Sequence, residues 1–138
     1  MLVLATVAGS ARAQLLTVSG NPGSLNIVAA SPGTQPNSVA DASTSYTVTT
    51  VLRSKIAVAI DAAMPSGLTL IVTLAAPAGA TSSGPITLST AAQDAVRGIP
   101  LGTVLSTHSI TYDFTATVSA GIVPATTRTV TLTILPDP

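Results

Sequence analysis

The sequence has no cysteine, no tryptophan and no glutamate, and it has one lysine (Lys55), one histidine (His108) and three aromatic residues, Tyr46, Tyr112 and Phe114. Without cysteine there are no disulfides, no thiolate metal ligands and no thiol nucleophile. A single imidazole without cysteine cannot make an ordinary zinc ligand set. Charged residues are 7% of the chain and the formal net charge is zero. That balance excludes the basic stripe of a nucleic-acid binder and the high-charge composition of a disordered chain. Three aromatics leave little material for the stacking platforms on which single-stranded nucleic acid binds. No later apolar run approaches the ~20 residues of a membrane-spanning helix, because Thr, Ser, Gly or Pro interrupts each one. The ~10-residue spans and aromatic girdles of a transmembrane barrel are missing as well.

What is present begins with an address. Met1–Val7 is apolar, Gly9 and Ser10 are small, and Ala11-Arg12-Ala13 fits the A-x-A cleavage pattern. Residues 1–13 therefore read as a signal peptide, with Gln14 as the first mature residue. No Lys or Arg precedes the apolar stretch, so the signal is expected to be truncated at its start. The competing reading is an ordinary apolar first strand.

The rest alternates with a period of two. In residues 107–119, Ile110, Tyr112, Phe114, Ala116 and Val118 hold one parity and Thr111, Asp113, Thr115, Thr117 and Ser119 the other. Successive side chains of a strand point to opposite faces, so one face is buried and one wet. Arg128–Leu135 repeats the scheme with Val130, Leu132 and Ile134 against Thr129, Thr131 and Thr133. The intervening Gly121 and Pro124 suggest a hairpin with a longish loop. Tyr46, Val48, Thr50 and Leu52 alternate, as do Ile56, Val58 and Ile60, and Leu68, Leu70, Val72 and Leu74. Met64-Pro65-Ser66-Gly67 is turn chemistry. Ile86–Ser89 reads as a short strand. Ala91–Ile99 reads as an extended piece crossing between sheets, since Gly98 and Pro100 stop a helix. Leu16–Val18 and Leu25–Ala29 are early strand candidates. Ser31–Ser43, Ala76–Pro85 and Gly121–Thr126 read as small, polar loops.

Thr and Ser together are about a quarter of the chain, and Thr suits the wet face of an antiparallel sheet. The fold class is all-β, an antiparallel β-sandwich of the immunoglobulin-like kind with roughly seven to nine short strands. Residues 14–138 form one domain, long enough to bury an aliphatic core without a disulfide or metal.

Tyr112-x-Phe114-x-Ala116-x-Val118, a loop, and Arg128-x-Val130-x-Leu132-x-Ile134 resemble the last two strands of bacterial immunoglobulin-like domains in surface proteins and fibre subunits. The resemblance covers about 30 residues at the C-terminal end. It implies display or assembly outside the cell and carries over no functional residue.

Chemical groupings are sparse. Asp41, Asp61, Asp94, Asp113 and Asp137 are scattered and read as solvated surface charges, not as the convergent pair of a glycosidase. His108 opens a strand and reads as a surface histidine. There is no G-x-S-x-G elbow, no calcium loop and no phosphate-binding glycine pattern. Lys55, with Asn21, Asn26 or Asn37 as acceptor, is a candidate for the Lys–Asn cross-link of fibre domains, although it shares the polar parity of Asp61 and a wet face does not activate an amine. Tyr46 and Tyr112 fall on apolar parity and read as core. No catalytic, cofactor-binding or metal site is expected, and no cofactor.

These features point to a non-enzymatic secreted or cell-surface structural protein, extracellular or periplasmic, such as a pilin-like fibre subunit that joins its neighbours by strand addition. A surface so poor in charge has few groups to desolvate on self-association and few edge charges to prevent it. Leu16, Val18, Leu25 and Ile27 mark a possible donated strand; the alternative is an ordinary first strand. Partners would be copies of itself or other surface proteins, with a small-molecule ligand and nucleic acid not expected. The alternative function is an adhesin or carbohydrate-binding module using the loops at one sandwich end.

Overall fold

The computed structural model describes residues 2–9, 14–27, 36–118 and 126–137. Among them are ten strands and no helix, somewhat more strands than the seven to nine expected. They are β1 (Leu2–Gly9), β2 (Leu15–Val18), β3 (Val39–Thr49), β4 (Ser54–Ile60), β5 (Leu68–Leu74), β6 (Thr81–Ser82), β7 (Ile86–Thr87), β8 (Gln93–Ile99), β9 (Ser106–Ala116) and β10 (Thr126–Pro136). One sheet has the order β1-β10-β4-β8-β6 and the other β2-β3-β9-β5-β7. Every pairing is antiparallel except β1 with β10, which is parallel.

The two-residue period becomes buried rows. In the first sheet Val130, Leu132 and Ile134 lie opposite Ile60, Val58 and Ile56. In the second, Leu70, Val72 and Leu74 lie opposite Phe114, Tyr112 and Ile110. All twelve are buried and belong to one hydrophobic cluster that draws on both sheets. The outward rows carry threonine, as in the pairs Thr73–Thr111 and Thr69–Thr115. The Thr47 and Thr107 hydroxyls are 2.8 Å apart, a cross-strand contact of the kind that stabilises a sheet by tenths of a kcal/mol, roughly 0.2–1. Tyr46 and Tyr112 are fully buried, on the apolar side as their parity indicates. Tyr46 donates its hydroxyl hydrogen bond to the Ala75 carbonyl, which satisfies its polar tip.

Several connections differ from the sequence expectation. β9 and β10 are not a hairpin: β9 lies between β3 and β5, while β10 lies between β1 and β4 in the other sheet. Alternation identifies a strand's buried face but not its neighbour, and a connection of this length can cross the ~10 Å between packed sheets. The segment expected to cross between sheets, Ala91–Ile99, contains β8, a regular strand between β4 and β6. Its register shifts against β4 around Ile56, and this irregularity hid its period. The loop Ala76–Pro85 contains β6, and Ser31–Ser43 overlaps the start of β3. Residues 31–35 and 121–125, parts of two candidate binding loops, lie outside the described residues. At Met64–Gly67 the expected turn is present: Leu68 N–H donates to the Pro65 carbonyl at 3.0 Å and Gly67 has φ +82°.

The residues read as an export address form β1. Leu2 to Gly9 run alongside Thr126 to Thr133, residue for residue. No helix of the described residues is long and apolar enough to cross a membrane.

Candidate functional site

Sheet edges are where one chain can extend another. Of the four edge strands here, β6 and β7 have two residues each and β2 has four, so three edges are short. The fourth edge strand is β1, with eight residues and no charged side chain in its sequence. Beneath it, β10 supplies three fully buried residues to the core and presents alternate backbone groups to β1. This β10 edge is long, has Arg128 as the one charged residue in its stretch against β1, and is capped by the segment whose sequence reads as removable.

Of the four residues marked for a donated strand, Leu16 and Val18 lie in β2 along the edge of β3. Leu16 and Leu25 are buried, and Val18 and Ile27 are partly buried against the same cluster. Leu16 sits opposite Val48 and Val18 opposite Tyr46. In the single chain these side chains fill the chain's own core.

A second feature is an apolar end. The β3–β4 connection leaves Val51 and Leu52 exposed, and the β8–β9 connection leaves Leu101, Val104 and Leu105 exposed. Backbone bonds zip these loops together: Thr50 N–H to the Thr103 carbonyl at 2.8 Å and Gly102 N–H to the Thr50 carbonyl at 3.0 Å. The Thr50 hydroxyl adds a bond to the Pro100 carbonyl at 2.7 Å. Leu105 is held at φ +44°, a left-handed conformation that costs a side-chain-bearing residue roughly 1–2 kcal/mol. Its N–H donates to Thr49 Oγ1 at 3.1 Å. The sequence reading missed this end, because five apolar residues scattered over two loops produce no period.

Beside it lies a charge cluster. Asp94 Oδ2 is 3.3 Å from Lys55 Nζ and 3.7 Å from Arg97 Nε. Asp137 accepts the Gly98 N–H at 2.8 Å and an Arg97 N–H at 3.2 Å. These bonds, with the Gly98 amide first and the Arg97 and Arg53 charges behind it, hold the Asp137 carboxyl below the usual carboxylate range. Gly98 has φ +67° and packs against the Arg53 guanidinium, so a side chain there would be both strained and crowded. Asp137 is buried, not the solvated tail charge expected from sequence. Its own N–H donates to the Arg53 carbonyl at 2.9 Å, so it anchors the end of β10. Two carboxylates do meet here, but a guanidinium between them compensates their charge. Lys55 pairs with Asp94 on the outer face.

Asp61 and Asp41 have structural partners too. Asp61 accepts the Thr129 N–H at 2.9 Å. Asp41 accepts the Ser43 hydroxyl at 2.6 Å and the Ser43 N–H at 2.9 Å. These bonds, the hydroxyl first, lower the Asp41 pKa and shape the bulge in β3 between Asp41 and Thr44. His108 is half-buried, its Nε2 is 2.6 Å from Ser106 Oγ, and its ring lies tilted 5.9 Å from that of Tyr46. Among the described residues no Asp is hydrogen-bonded to it, so the pair lacks the third group that orients a catalytic base. No group of three or more His, Cys, Asp or Glu that could hold a metal occurs among the described residues.

Neither a protein-family model nor a curated protein matches this chain. The functional reading therefore rests on the sheet edge, the apolar end and the sequence of the first strand.

Proposed function

We propose that this chain is a non-enzymatic structural subunit, exported to the cell surface or beyond, that associates with its own kind by strand addition at the β10 edge. The fold type we assign to it is an immunoglobulin-like β-sandwich. One observation carries the reading: the strand covering β10 is built from the residues that read as a signal peptide. Cleavage after Ala13 removes that strand and leaves alternate N–H and C=O groups of residues 127–133 without their β1 partners. A strand of a neighbouring copy restores them, giving main-chain affinity with side-chain pockets for register. The low surface charge supports the same reading, because no row of lysines guards the edge. Leu16, Val18, Leu25 and Ile27 can serve as donor only by leaving the core they fill here, which makes their donation a domain swap.

The test compares residues 14–138 with the full chain by light scattering and electron microscopy over a range of concentrations. The shorter chain is expected to form oligomers or filaments, and a peptide of residues 1–10 added in excess is expected to suppress them. A shorter chain that stays monomeric at high concentration and ignores the peptide overturns the proposal.

The apolar end favours a second reading, an adhesin or binding module. Val51, Leu101, Val104 and Leu105 form a preorganised contact surface for an apolar partner. A carbohydrate would find no aromatic ring among them, so capture of a protein ligand, abolished by Leu101→Ser with Val104→Ser, is the outcome that would support this reading over assembly.

A further inference from the structure

We propose that Gln14 is a modification site: after the chain is cut behind Ala13, its side chain closes on the new α-amine to form an N-terminal pyroglutamyl ring. The proposal rests on the export reading above. Cleavage at Ala11-Arg12-Ala13 would leave glutamine, one of the few residues whose side chain can form a stable five-membered lactam with its own amine.

The surroundings favour closure. With the leader still joined, Gln14 is only 6% exposed. Its Nε2 donates to Ser54 Oγ, while its carbonyl oxygen Oε1 is buried with no hydrogen-bond partner. Ser54 lies between Arg53 and Lys55 in the chain. The charged groups on this end are Arg53, Lys55, Arg97, Asp94 and Asp137. Both carboxylates are already engaged, Asp94 by Lys55 and Arg97 and Asp137 by Arg97 and the Gly98 N–H. An ammonium formed at Gln14 would find neither of these carboxylates free to pair with it. Without a carboxylate to hold it charged, the amine more readily gives up its proton, and the neutral amine is the nucleophile. It attacks Cδ of the side-chain amide. The Nα–Cδ bond forms, the Cδ–Nε2 bond breaks, and the departing nitrogen takes one amine proton to leave as ammonia. No electrons are exchanged, and the product carries no terminal charge.

The experiment is intact-mass measurement and N-terminal sequencing of protein recovered from the exported fraction. The expected product begins at residue 14, is lighter by one ammonia, and is blocked to sequencing until a pyroglutamyl peptidase is added. A chain that begins at Gln14 and keeps a free amine after incubation at neutral pH overturns the ring while leaving export standing. A chain that still begins at Met1 overturns the export reading and the ring with it. Gln14→Asn keeps an amide but cannot close a five-membered ring on its own α-amine, so it is expected to keep a free amine and to sequence without the peptidase. A blocked N-terminus in that variant as well would show that the block does not need the Gln14 ring and would refute the assignment.

Discussion

Leu132→Ala tests the central packing claim, that the even parity of β10 faces the interior. Leu132 is fully buried, as are Val130 and Ile134 on its own strand and Val58 opposite it. Neighbours held that tightly can relax little into the vacated space. The cost should therefore fall in the upper part of the Leu→Ala range, about 3–5 kcal/mol. Unfolding entropy near Tm is roughly 2 cal/mol/K per residue, so for 138 residues the loss corresponds to a fall in Tm of about 10–17 °C. Thr133→Ala on the opposite face is the control. Thr133 is partly exposed opposite Ala57, and a surface change of this kind should stay within about 0.5 kcal/mol, or about 2 °C. Thermal melts followed by circular dichroism at fixed protein concentration, with urea midpoints beside them, measure both. Concentration must be fixed because association shifts apparent stability. Equal losses for the two variants, or a larger one for Thr133→Ala, would mean that β10 is turned over and its register to β4 is wrong by one residue.

Leu105→Gly should raise stability by up to about 1 kcal/mol, because glycine takes φ +44° without a Cβ penalty, offset in part by greater freedom of the unfolded chain; a urea midpoint that falls contradicts the strain. Tyr46→Phe should cost about 1–3 kcal/mol, since the Ala75 carbonyl loses the buried hydroxyl donating to it, and unchanged melting would show that bond to be idle. The carboxyls of Asp41 and Asp137 titrate lower in the folded chain than in the unfolded one. Their stabilisation is therefore complete above the ordinary carboxylate pKa of ~3.9 and lost as pH falls through the lower folded values. Melts between about pH 5 and pH 2 should show Tm dropping at the acid end, with a shallower drop in Asp137→Asn; an identical acid slope in that variant removes Asp137 from the account.

The alternation Ile110-x-Tyr112-x-Phe114 and Val130-x-Leu132-x-Ile134 by itself determined that these segments are strands, which face is buried, and that threonine covers the other. Those facts are local, because the geometry of a strand sorts side chains by parity wherever the strand sits. The turn at Met64–Gly67 was legible for the same reason, as Pro and Gly restrict or free their own backbone angles. The absence of thiols and the single imidazole likewise limited the available chemistry before any fold was known.

Partnership was decided only in three dimensions. Nothing in β9 or β10 says that one pairs with β3 and β5 while the other pairs with β4, because main-chain hydrogen bonds are the same for every neighbour. Nothing in the last few residues says that Asp137 is buried, since the Gly98 amide and Arg97 that hold it lie about 40 residues earlier. The pairing of β1 with β10 joins the two ends of the chain, a contact invisible to any local window. Hydrophobic pattern chose the inside of each ribbon; the closing of two sheets around one core chose which ribbons touch.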